Sequence, residues 1–435
     1  MAEEVWMLQT KKADFKQIGA RFRIDPVTAR IIRNRGIEGE AAIDRYLNGT
    51  LDDLYDPMLL KDMERAVSIL CEAVDTGKKI RIVGDYDIDG VCSTYILLQA
   101  FERLGSDVDF EIPDRIKDGY GINESIIEQA HADGVEVILT CDNGISAFHQ
   151  VELAKKYGMT VVITDHHEVP LDGEKEKIPP ADAVIDPKQA DCPYPFPEIC
   201  GAVVAYKLVQ VLYARRGVPR MEWLDLLEFA AIATVGDVMK LQDENRILVK
   251  YGLKKMAQTK NLGLRRLAEK NNLDLGAITA YHIGFVIGPC LNAGGRLKTA
   301  KEALALLRAQ SEEEAERLAE ELKELNDTRK DMTEQGTEAA KLQVESWYQK
   351  DKVLVVFLPE CHESLAGIIA GRLREYYQKP AIVLTRGEEA VKGSGRSIDE
   401  YHMFKKLTEV SDLLLKFGGH PLAAGLSLEE KNIDE

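Results

Sequence analysis

Short apolar runs recur along the first half of the chain, each followed by a stretch of helical periodicity. Three of these runs, at 80–84, 135–140 and 160–164, are rich in Val and Ile, and 183–186 is a candidate for a fourth. Runs of this kind are typical of strands, and strands that alternate with helices are typical of βαβ units with right-handed crossovers. The pattern therefore predicts an α/β domain with a parallel sheet.

Apolar residues at helical spacing predict the helices of this domain. Two of them lie between the strands, at 93–104 and 147–157, and residues 201–285 are mostly helical in pattern. Residues 1–60 also have a helical pattern, in which Asp25-Pro26 has the residue types of an N-cap followed by a first helical residue. We therefore expect one helical segment before the sheet and another after it.

A second α/β pattern follows a long amphipathic stretch at 300–345, which we interpret as a connecting helix. Its strands are expected at 353–358 and 381–385, with a helix at 365–377 between them. The chain is therefore predicted to have four parts: an N-terminal helical segment 1–60, a parallel-sheet domain 61–300, a connecting helix 301–345 and a smaller α/β domain 346–435.

Composition places the chain among globular proteins of the cytoplasm. Hydrophobic residues make up 45% and charged residues 30%, and no apolar run approaches the roughly 20 residues that span a bilayer. Seven cysteines without a Cys-x-x-Cys pair favour reduced thiols, and the N-terminus has no secretory pattern. A net charge of −17 argues against coating nucleic acid by bulk electrostatics but leaves room for a local basic groove.

The predicted strands of the first domain end in polar loops that contain aspartate. These loops are 85–90, 142–144 and 165–167, with the sequences Asp-Tyr-Asp-Ile-Asp-Gly, Asp-Asn-Gly and Asp-His-His. Because a parallel sheet collects its functional groups at the carboxyl ends of its strands, we expect the loops to meet at one edge. Carboxylates with imidazole suit Mn²⁺, Fe²⁺ or Zn²⁺, and carboxylates with water suit Mg²⁺ or Mn²⁺.

The loops supply enough groups for two metal ions. Two divalent ions about 3.5–4 Å apart stabilise the attacking and the leaving oxygen of a phosphodiester. Asp237, which follows a further apolar run, adds a sixth group. The candidate ligands are Asp85, Asp87, Asp89, Asp142, His166 and Asp237. The sequence therefore predicts a metal-dependent hydrolase.

Two simpler interpretations of the first loop compete with a metal site. Asp85, Asp87 and Asp89 followed by Gly90 match the start of an EF-hand, but its twelfth position is Ile96, which offers no acid, and a strand precedes the loop. A single acidic loop is also compatible with a solvated turn. The adjacent histidines of the third loop favour a metal site over that turn.

The three loops and the Gly-Asp pair at 236–237, in their order along the chain, resemble the four motifs of the DHH phosphoesterase superfamily and in particular of its RecJ branch. The resemblance runs from about residue 50 to the end of the sequence. Further stretches that resemble this branch are 112–115 with 119–121, 288–297, 362–372, 392–397 and 418–425, the last two being similar to a DHH-associated domain. The resemblance implies an α/β chain with a parallel-sheet DHH domain and a smaller DHH-associated domain, joined by a long helix.

The resemblance also implies roles for individual residues. It makes Asp85 a metal ligand or a supporting acid, and it gives Asp142, His166 and His167 catalytic roles with two Mn²⁺ or Mg²⁺ ions. His167 would face the scissile phosphate or orient a ligand, although a structural histidine that holds the loop is also possible. The implied substrate-binding residues are Arg115, Asn292, Arg296, Arg372, Ser394, Arg396 and His420. Surface ion pairs are the alternative for the arginines, and Arg372 is undecided.

The activity implied by this branch is hydrolysis of single-stranded DNA from its 5′ end to 5′-mononucleotides, in DNA repair and recombination. The expected partners are single-stranded DNA with a free 5′ end, a helicase and a single-strand-binding protein, with no membrane. The strand would thread between the two domains. Cys290 stands where the family often has an arginine. Members of the family commonly continue into an oligonucleotide-binding β-barrel, and we expect the chain to be truncated before it.

Two other functions stay open at the level of the sequence. One is a DHH phosphoesterase that acts on short oligonucleotides or cyclic dinucleotides. The other is a degenerate relative that binds single strands without cutting them, although such a protein would be expected to lose ligands that this chain keeps. Hydrolysis of DNA strands of increasing length separates the first alternative, and metal-independent retention of DNA without product indicates the second.

Overall fold

The computed structural model describes residues 6–9, 11–348 and 350–435. Contacts between residues define one compact unit within residues 7–323 and a second that contains Glu324–Glu435. The helix Glu312–Gln343 begins in the first unit and ends in the second, so it joins them. Among the described residues, every helix is either too short or too polar to cross a membrane.

Short helices open the described part of the chain and pack on one another in a small apolar core of their own. They are α1 Phe15–Phe22, α2 Pro26–Asn34 and α3 Glu40–Asn48. The predicted cap is confirmed, because Asp25 accepts hydrogen bonds at 2.9 Å from the backbone N–H groups of Val27 and Thr28, and Pro26 is the first helical residue. The predicted helical character of this segment therefore holds for the described residues.

A parallel sheet forms the centre of the first unit. The strands are β1 Ile80–Val83, β2 Val108–Glu111, β3 Val137–Cys141, β4 Thr160–Thr164, β5 Leu171–Asp172, β6 Lys175–Glu176 and β7 Ala183–Ile185. Their order in the sheet is β2-β1-β3-β4-β7, and all neighbouring pairs are parallel. The two-residue strands β5 and β6 pair separately in an antiparallel hairpin. This is the α/β fold that the alternating pattern predicts.

Helices surround this sheet. They are α4 Met63–Asp75, α5 Ile88–Arg103, α6 Glu124–Ala132, α7 Phe148–Lys156, α8 Gly201–Arg215, α9 Arg220–Leu224, α10 Leu227–Gly236, α11 Asp243–Met256, α12 Leu262–Lys270, α13 Ala280–His282, α14 Gly288–Leu297 and α15 Lys301–Arg308. A π-helical turn, Ile283–Ile287, links α13 to α14. Short 3₁₀ turns lie at Leu51–Asp53, Pro57–Leu59 and Leu275–Ala277. Helix α5 is buried along almost its whole length because it packs against α8, α10 and α15 as well as the sheet.

Helix α6 and the β5–β6 hairpin were not predicted from the sequence, and α5 and β2 also differ from the prediction. Helix α5 begins at Ile88, five residues before the predicted start, because Asp87 caps it and turns the acidic loop directly into the helix. Strand β2 was not predicted. It is a half-buried edge strand of four residues in which apolar and acidic residues alternate, a weak pattern at that length.

The second unit contains a mixed sheet. After the long helix α16 Glu312–Gln343 and a π-helical turn at Val344–Tyr348, its elements are β8 Leu354–Phe357, α17 Glu363–Tyr377, β9 Ala381–Arg386, β10 Val391–Arg396, α18 Met403–Thr408, β11 Leu414–His420 and β12 Ala423–Leu428. Short 3₁₀ turns lie at Ser411–Leu413 and Glu430–Asn432. The strand order is β11-β12-β10-β9-β8, in which β8 and β9 are parallel and the other pairs antiparallel. The smaller α/β unit is therefore present.

The predicted connecting helix is divided in the structure. Helix α15 ends at Arg308, and α16 begins at Glu312. Ser311 starts the new helix, since its hydroxyl accepts a hydrogen bond from the N–H of Glu314 at 3.2 Å and its carbonyl accepts one from Ala315 at 3.0 Å.

Candidate metal centre

The register of the sheet brings the predicted polar loops to one edge. Strand β3 ends at Cys141 beside Thr164 of β4, and β1 ends beside the residue before Cys141. The loops that leave this edge are 85–90, 142–144 and 165–167. Parallel strands that end level with one another therefore place the candidate ligands together, as the sequence predicts.

Asn143 holds the first two loops together. Its buried Nδ2 donates to the carbonyl oxygens of Val83, at 3.0 Å, and Cys141, at 2.9 Å. Its Oδ1 accepts from the N–H of Ile122 at 3.2 Å. One amide side chain thus fixes the ends of β1 and β3 to each other.

Asp142 lies in an unusual backbone conformation at the centre of the edge. Its φ of 61° is in the left-handed region, and its side chain is buried. The hydroxyl of Tyr120 donates to its carbonyl oxygen at 2.8 Å. A Cβ at Gly201, the first residue of α8, would lie 2.7 Å from the Cβ of Asp142, so only glycine fits there without displacement. The neighbours therefore fix where this carboxylate lies.

The carboxylates of the first loop are oriented by helix N-termini. Oδ1 of Asp87 accepts from the N–H of Asp89 at 2.9 Å and of Gly90 at 3.1 Å, at the start of α5. The carboxylate of Asp89 accepts from the N–H of Gly201 at 2.7 Å and of Ala202 at 2.8 Å, at the start of α8. Helix N-termini favour negative charge, so the first turns of α5 and α8 orient both carboxylates.

The histidine loop is organised by Asp165, which is buried. This carboxylate accepts from the N–H of Ile145 at 2.9 Å and of His166 at 2.8 Å, and it lies 2.8 Å from Nδ1 of His167. Burial lowers the pKa of His167, but the hydrogen bond and charge of Asp165 outweigh this and raise it to about 9. Burial lowers the pKa of His166, so this imidazole is neutral, as a metal ligand must be.

The candidate ligands form three overlapping groups whose ligand atoms lie within 4.8 Å of one another. The groups are Asp85 with Asp87 and Asp142, Asp89 with His166 and Asp237, and Asp142 with His166 and His167. Nε2 of His166 lies 3.0 Å from Asp142, 3.4 Å from Asp89 and 3.8 Å from Asp237. All six residues predicted as metal ligands are therefore brought together.

The candidate carboxylates lie so close together that they repel one another unless cations bind between them. Burial and then the neighbouring charges raise the pKa of Asp85 and of Asp237 to about 8, and they also raise the pKa of Asp87 and Asp142. Oδ1 of Asp85 is buried and has no hydrogen-bond partner among the described residues. Divalent ions would satisfy this oxygen and remove the repulsion, and a set of carboxylates with one imidazole suits Mn²⁺ and Mg²⁺.

The predicted substrate residues of the first unit lie around Tyr86, next to the candidate ligands. The guanidinium of Arg115 lies 4.0 Å from the ring centroid of Tyr86. Burial raises the pKa of Tyr86, whereas the positive charges of Arg115 and Arg296 oppose that shift, so both arginines are near it. Helix α14, which carries Arg296 and the half-buried Asn292, approaches closely, because a Cβ at Gly295 would lie 2.4 Å from the carbonyl oxygen of Tyr86.

The predicted substrate residues of the second unit do not all lie together. Arg396 is half-buried, and its Nη1 donates to Oγ of Ser394 at 3.1 Å. Arg372 instead lines a surface cavity of about 690 Å³ with residues of α16. His420 is exposed at the end of β11 and pairs with Ala423.

The sequence did not predict a separate role for three residues at this sheet edge, although Asp165 belongs to the predicted histidine loop. Tyr120 and Asp165 position the site through the hydrogen bonds described above. Asp186 follows β7 at the same sheet edge and is buried, which raises its pKa to about 7, and its Oδ2 has no hydrogen-bond partner among the described residues. Asp186 also follows an apolar run, at 183–185, so the pattern that identified the other acids could have identified it as well.

Comparison with protein families and known proteins agrees with this geometry. Residues 79–234 match the DHH family N-terminal domain, and residues 350–435 match the DHHA1 domain. The single-stranded-DNA-specific exonuclease RecJ of Escherichia coli is 37% identical over 94% of this chain and 72% of its own length. The corresponding Bacillus subtilis protein is also 37% identical, over 99% of this chain, but the chain spans 54% of that relative.

Solved structures show the same relationship. RecJ from Thermus thermophilus in complex with Mn²⁺ has a TM-score of 0.82 at 31% identity, covering 97% of this chain and 59% of that one. A structure described as exonuclease RecJ bound to manganese has a TM-score of 0.75 at 33% identity, covering 86% of this chain and 92% of that one. The chain therefore belongs to the RecJ family of DHH-domain proteins.

Proposed function

We propose that the chain is a metal-dependent exonuclease that hydrolyses single-stranded DNA from the 5′ end to 5′-mononucleotides. The observation that supports this most directly is the overlap of the ligand groups, in which Asp142 and His166 each belong to two. Shared ligands of this kind suit two ions held close together, which is the arrangement that phosphodiester hydrolysis needs. The names of the E. coli and B. subtilis relatives point to the same substrate.

Two Mn²⁺ or Mg²⁺ ions are the proposed cofactors. Asp85, Asp87 and Asp142 would hold one ion, and Asp89, His166 and Asp237 the other, with Asp142 or His166 between them. When bound, such ions neutralise phosphate charge and lower the pKa of water enough to make it a nucleophile at neutral pH. Related RecJ structures contain Mn²⁺ or Mg²⁺.

His167 is the proposed phosphate contact beside the ions. Its side chain is 43% exposed, and the adjacent Asp165 keeps it protonated at neutral pH, since its pKa is about 9. A cationic imidazole that is open to solvent donates a hydrogen bond to a phosphate oxygen and stabilises the charge that develops there. The nearby Arg115 and Arg296 would add contacts to the strand.

The second unit is proposed to bind the 5′ end of the strand. Ser394 and Arg396 present a hydroxyl and a guanidinium side by side, which suits a terminal phosphate. His420 and Arg372 are further proposed contacts.

We also propose the four-part division of the chain at residues 60, 300 and 345. Action in DNA repair and recombination in the cytoplasm, together with a helicase and a single-strand-binding protein, is proposed from the family.

Digestion of a 5′-phosphorylated single strand and the matching duplex, with Mn²⁺, Mg²⁺ or chelator, tests the proposal. We expect mononucleotides from the single strand with either metal and none with chelator. Turnover limited to pieces of two to five nucleotides would favour a phosphoesterase for short oligonucleotides instead. Cleavage that persists in chelator would contradict the role of the acidic cluster.

Asp142→Asn tests the ligand assignment without changing the backbone. Asparagine adopts the left-handed conformation readily, so this variant keeps the fold that alanine would strain. We expect kcat/KM on single-stranded DNA to fall about 100-fold or more, because replacing groups that merely orient ligands already costs about 10–100-fold. Asp172→Asn, on an exposed residue of β5, is the matched control and should behave like the parent. Parent-like activity of Asp142→Asn would refute the assignment.

A further inference from the structure

Two aromatic side chains are exposed and stacked on each other in the first unit. The side chains of Tyr281 and Phe285 are 63% and 67% exposed, and their ring centroids are 4.8 Å apart with an interplanar angle of 26°. They lie on α13 and on the π-helical turn that follows it. Such turns occur frequently at functional sites, and large exposed apolar groups commonly mark binding surfaces.

This aromatic pair is carried by a segment that packs directly on the elements of the metal centre. A Cβ at Gly284 would lie 3.7 Å from Val235, two residues before Asp237. A Cβ at Gly288 would lie 3.3 Å from Ile88, which stands between Asp87 and Asp89 in the sequence. The segment that carries the rings therefore contacts both the end of α10, before Asp237, and the start of α5, between Asp87 and Asp89. A strand that binds the rings would thus lie on a segment that adjoins the candidate metal centre.

The charge of this segment suits a polyanion. No Asp or Glu occurs between Asp274 and Glu302, although the chain has 73 acidic residues in 435. The same stretch carries Arg296, one of the cations near Tyr86. A nucleic acid strand would therefore meet no acidic side chain from this stretch, and bases stack on exposed aromatic rings whatever their sequence.

We propose that Tyr281 and Phe285 form a stacking platform for the bases of a single-stranded nucleic acid next to the scissile phosphate. The proposal rests on the proposed exonuclease function and adds the residues that hold the bases. The phosphates would lie toward the metal centre, and the bases would continue the stack of the two rings. In a duplex the bases are paired and stacked, so their faces are closed to the rings. The platform would then favour single strands.

Kinetics of Tyr281→Ala, Phe285→Ala and the double variant with Mn²⁺ test this proposal. The substrates are a 20-nucleotide oligo-dT and an abasic strand of equal length, which has the phosphates but lacks the bases. For oligo-dT we expect KM to rise about 10-fold for each ring removed, with kcat unchanged. For the abasic strand, parent and variants should have the same KM. Thermal unfolding of each variant checks that the fold is retained.

Tyr157→Ala is the matched control. Tyr157 is also exposed and stacks on His131, with centroids 4.2 Å apart, but it precedes β4 at the opposite edge of the sheet. We expect this variant to match the parent on both strands. An unchanged KM for oligo-dT in the double variant would overturn the platform and would mean that another occupant, such as a protein surface, covers the rings.

The outcomes also separate this proposal from the proposed function. Equal losses on oligo-dT and on the abasic strand would indicate a structural role for the rings and overturn the platform, even though the parent remains an exonuclease. Failure of the parent itself to cleave oligo-dT with Mn²⁺ would refute the exonuclease function. In that case fluorescence anisotropy of labelled oligo-dT bound to parent and double variant would still show whether the rings contact bases, and equal affinities would overturn the platform.

Discussion

Asp142 shows how much of the candidate centre depends on the conformation of one residue. A non-glycine residue in the left-handed region costs about 1 kcal/mol or more, and such conformations are common at functional sites. Here Tyr120 bonds the carbonyl oxygen, and α8 begins against the side chain. The surrounding contacts therefore hold a strained residue so that its carboxylate reaches two of the ligand groups.

Gly201→Ala tests this packing. The new methyl group would lie 2.7 Å from the Cβ and 2.9 Å from the Cα of Asp142, and backbone atoms cannot move aside as a flexible side chain does. We expect Mn²⁺ affinity, measured by calorimetry, to fall about 10–100-fold, with a matching loss of activity. Mn²⁺ affinity equal to that of the parent would show that the loop adapts and that Asp142 is not held by this contact.

At this scale the sequence predicted which candidate ligands lie together better than it predicted the residues that position them. The five acids and one histidine lie in loops after strands, at the start of α5 or at the end of α10, so a polar loop after an apolar run identifies them. Tyr120 comes from an irregular segment 22 residues before its partner Asp142. Its role depends on the path of that segment, which no local pattern encodes.

Helices organise both proposed binding regions. The first turns of α5 and α8 donate backbone N–H groups to Asp87 and Asp89. In the second unit, α17 packs against β10, where Ser394 and Arg396 lie. Glycines on α17 permit this approach, because a Cβ at Gly367 would lie 2.7 Å from Arg396 and 2.8 Å from Ser394.

Gly367→Ala and Gly371→Ala form a matched pair one turn apart on α17. The first substitution would displace Arg396 and Ser394, so we expect KM for a 5′-phosphorylated strand to rise about 10-fold, toward the value for a 5′-hydroxyl strand. A Cβ at Gly371 would meet only one atom, at 4.0 Å. This second variant should keep the parent's kinetics and gain about 0.5–1 kcal/mol in stability. Identical phosphate preference in both variants would contradict the proposed 5′-phosphate contact.

Element boundaries were predicted well where the signal is local. The cap at Asp25 and strand β4 agree with the structure to the residue. The start of α5 was missed because the acids of the first loop were treated as loop residues, whereas Asp87 caps the helix and Asp89 lies in its first turn. Asp87 and Asp89 are both candidate metal ligands and the first residues of the helix. A propensity argument places such residues either in a loop or in a helix, so it missed that they serve both purposes.

On the scale of the whole molecule, a buried acid far from the metal centre affects stability. Glu228 of α10 is 3% exposed and lines a cavity of about 290 Å³. Its Oε1 accepts from the hydroxyl of Thr259 at 2.7 Å, and its Oε2 has no partner among the described residues. Burial raises the pKa of Glu228 to about 7, so the folded chain keeps a proton that the unfolded chain releases above its ordinary value of 4.5.

Glu228→Gln should remove this pH dependence. Because the folded state holds the extra proton, stability of the parent falls as pH rises from about 4.5 to about 7, by about 3 kcal/mol in total. We expect the variant and the parent to differ little at pH 4.5 and the variant to be more stable at pH 8, as measured by urea unfolding. Glu313→Gln, on an exposed residue of α16, should track the parent at both pH values. A gap that stays constant with pH would exclude ionisation of Glu228 as the cause.

The sequence predicted two α/β parts and a long helix, but not the order of strands. The order of strands depends on the faces of the sheet over which the connecting segments cross, which local patterns do not encode. Strand β2 lies at the edge of the sheet and is only half-buried, so its sequence mixes apolar and acidic residues. The site could be predicted nonetheless, because every parallel arrangement of β1, β3 and β4 ends their loops on the same side. The residues around Tyr86 could not, since their proximity depends on the packing of α14 against the first loop.

The proposed ligands are spread from residue 85 to residue 237, in three loops that follow strands and at the end of α10, and this has a consequence for how the chain matures. Contacts so distant in sequence form late in folding, because loop-closure entropy must be overcome first. An ion that binds the full set stabilises the completed fold and gives little help to partly folded forms. Divalent metal should therefore protect the fully folded first unit from proteolysis, whereas partly folded chains, which lack the complete ligand set, should stay susceptible.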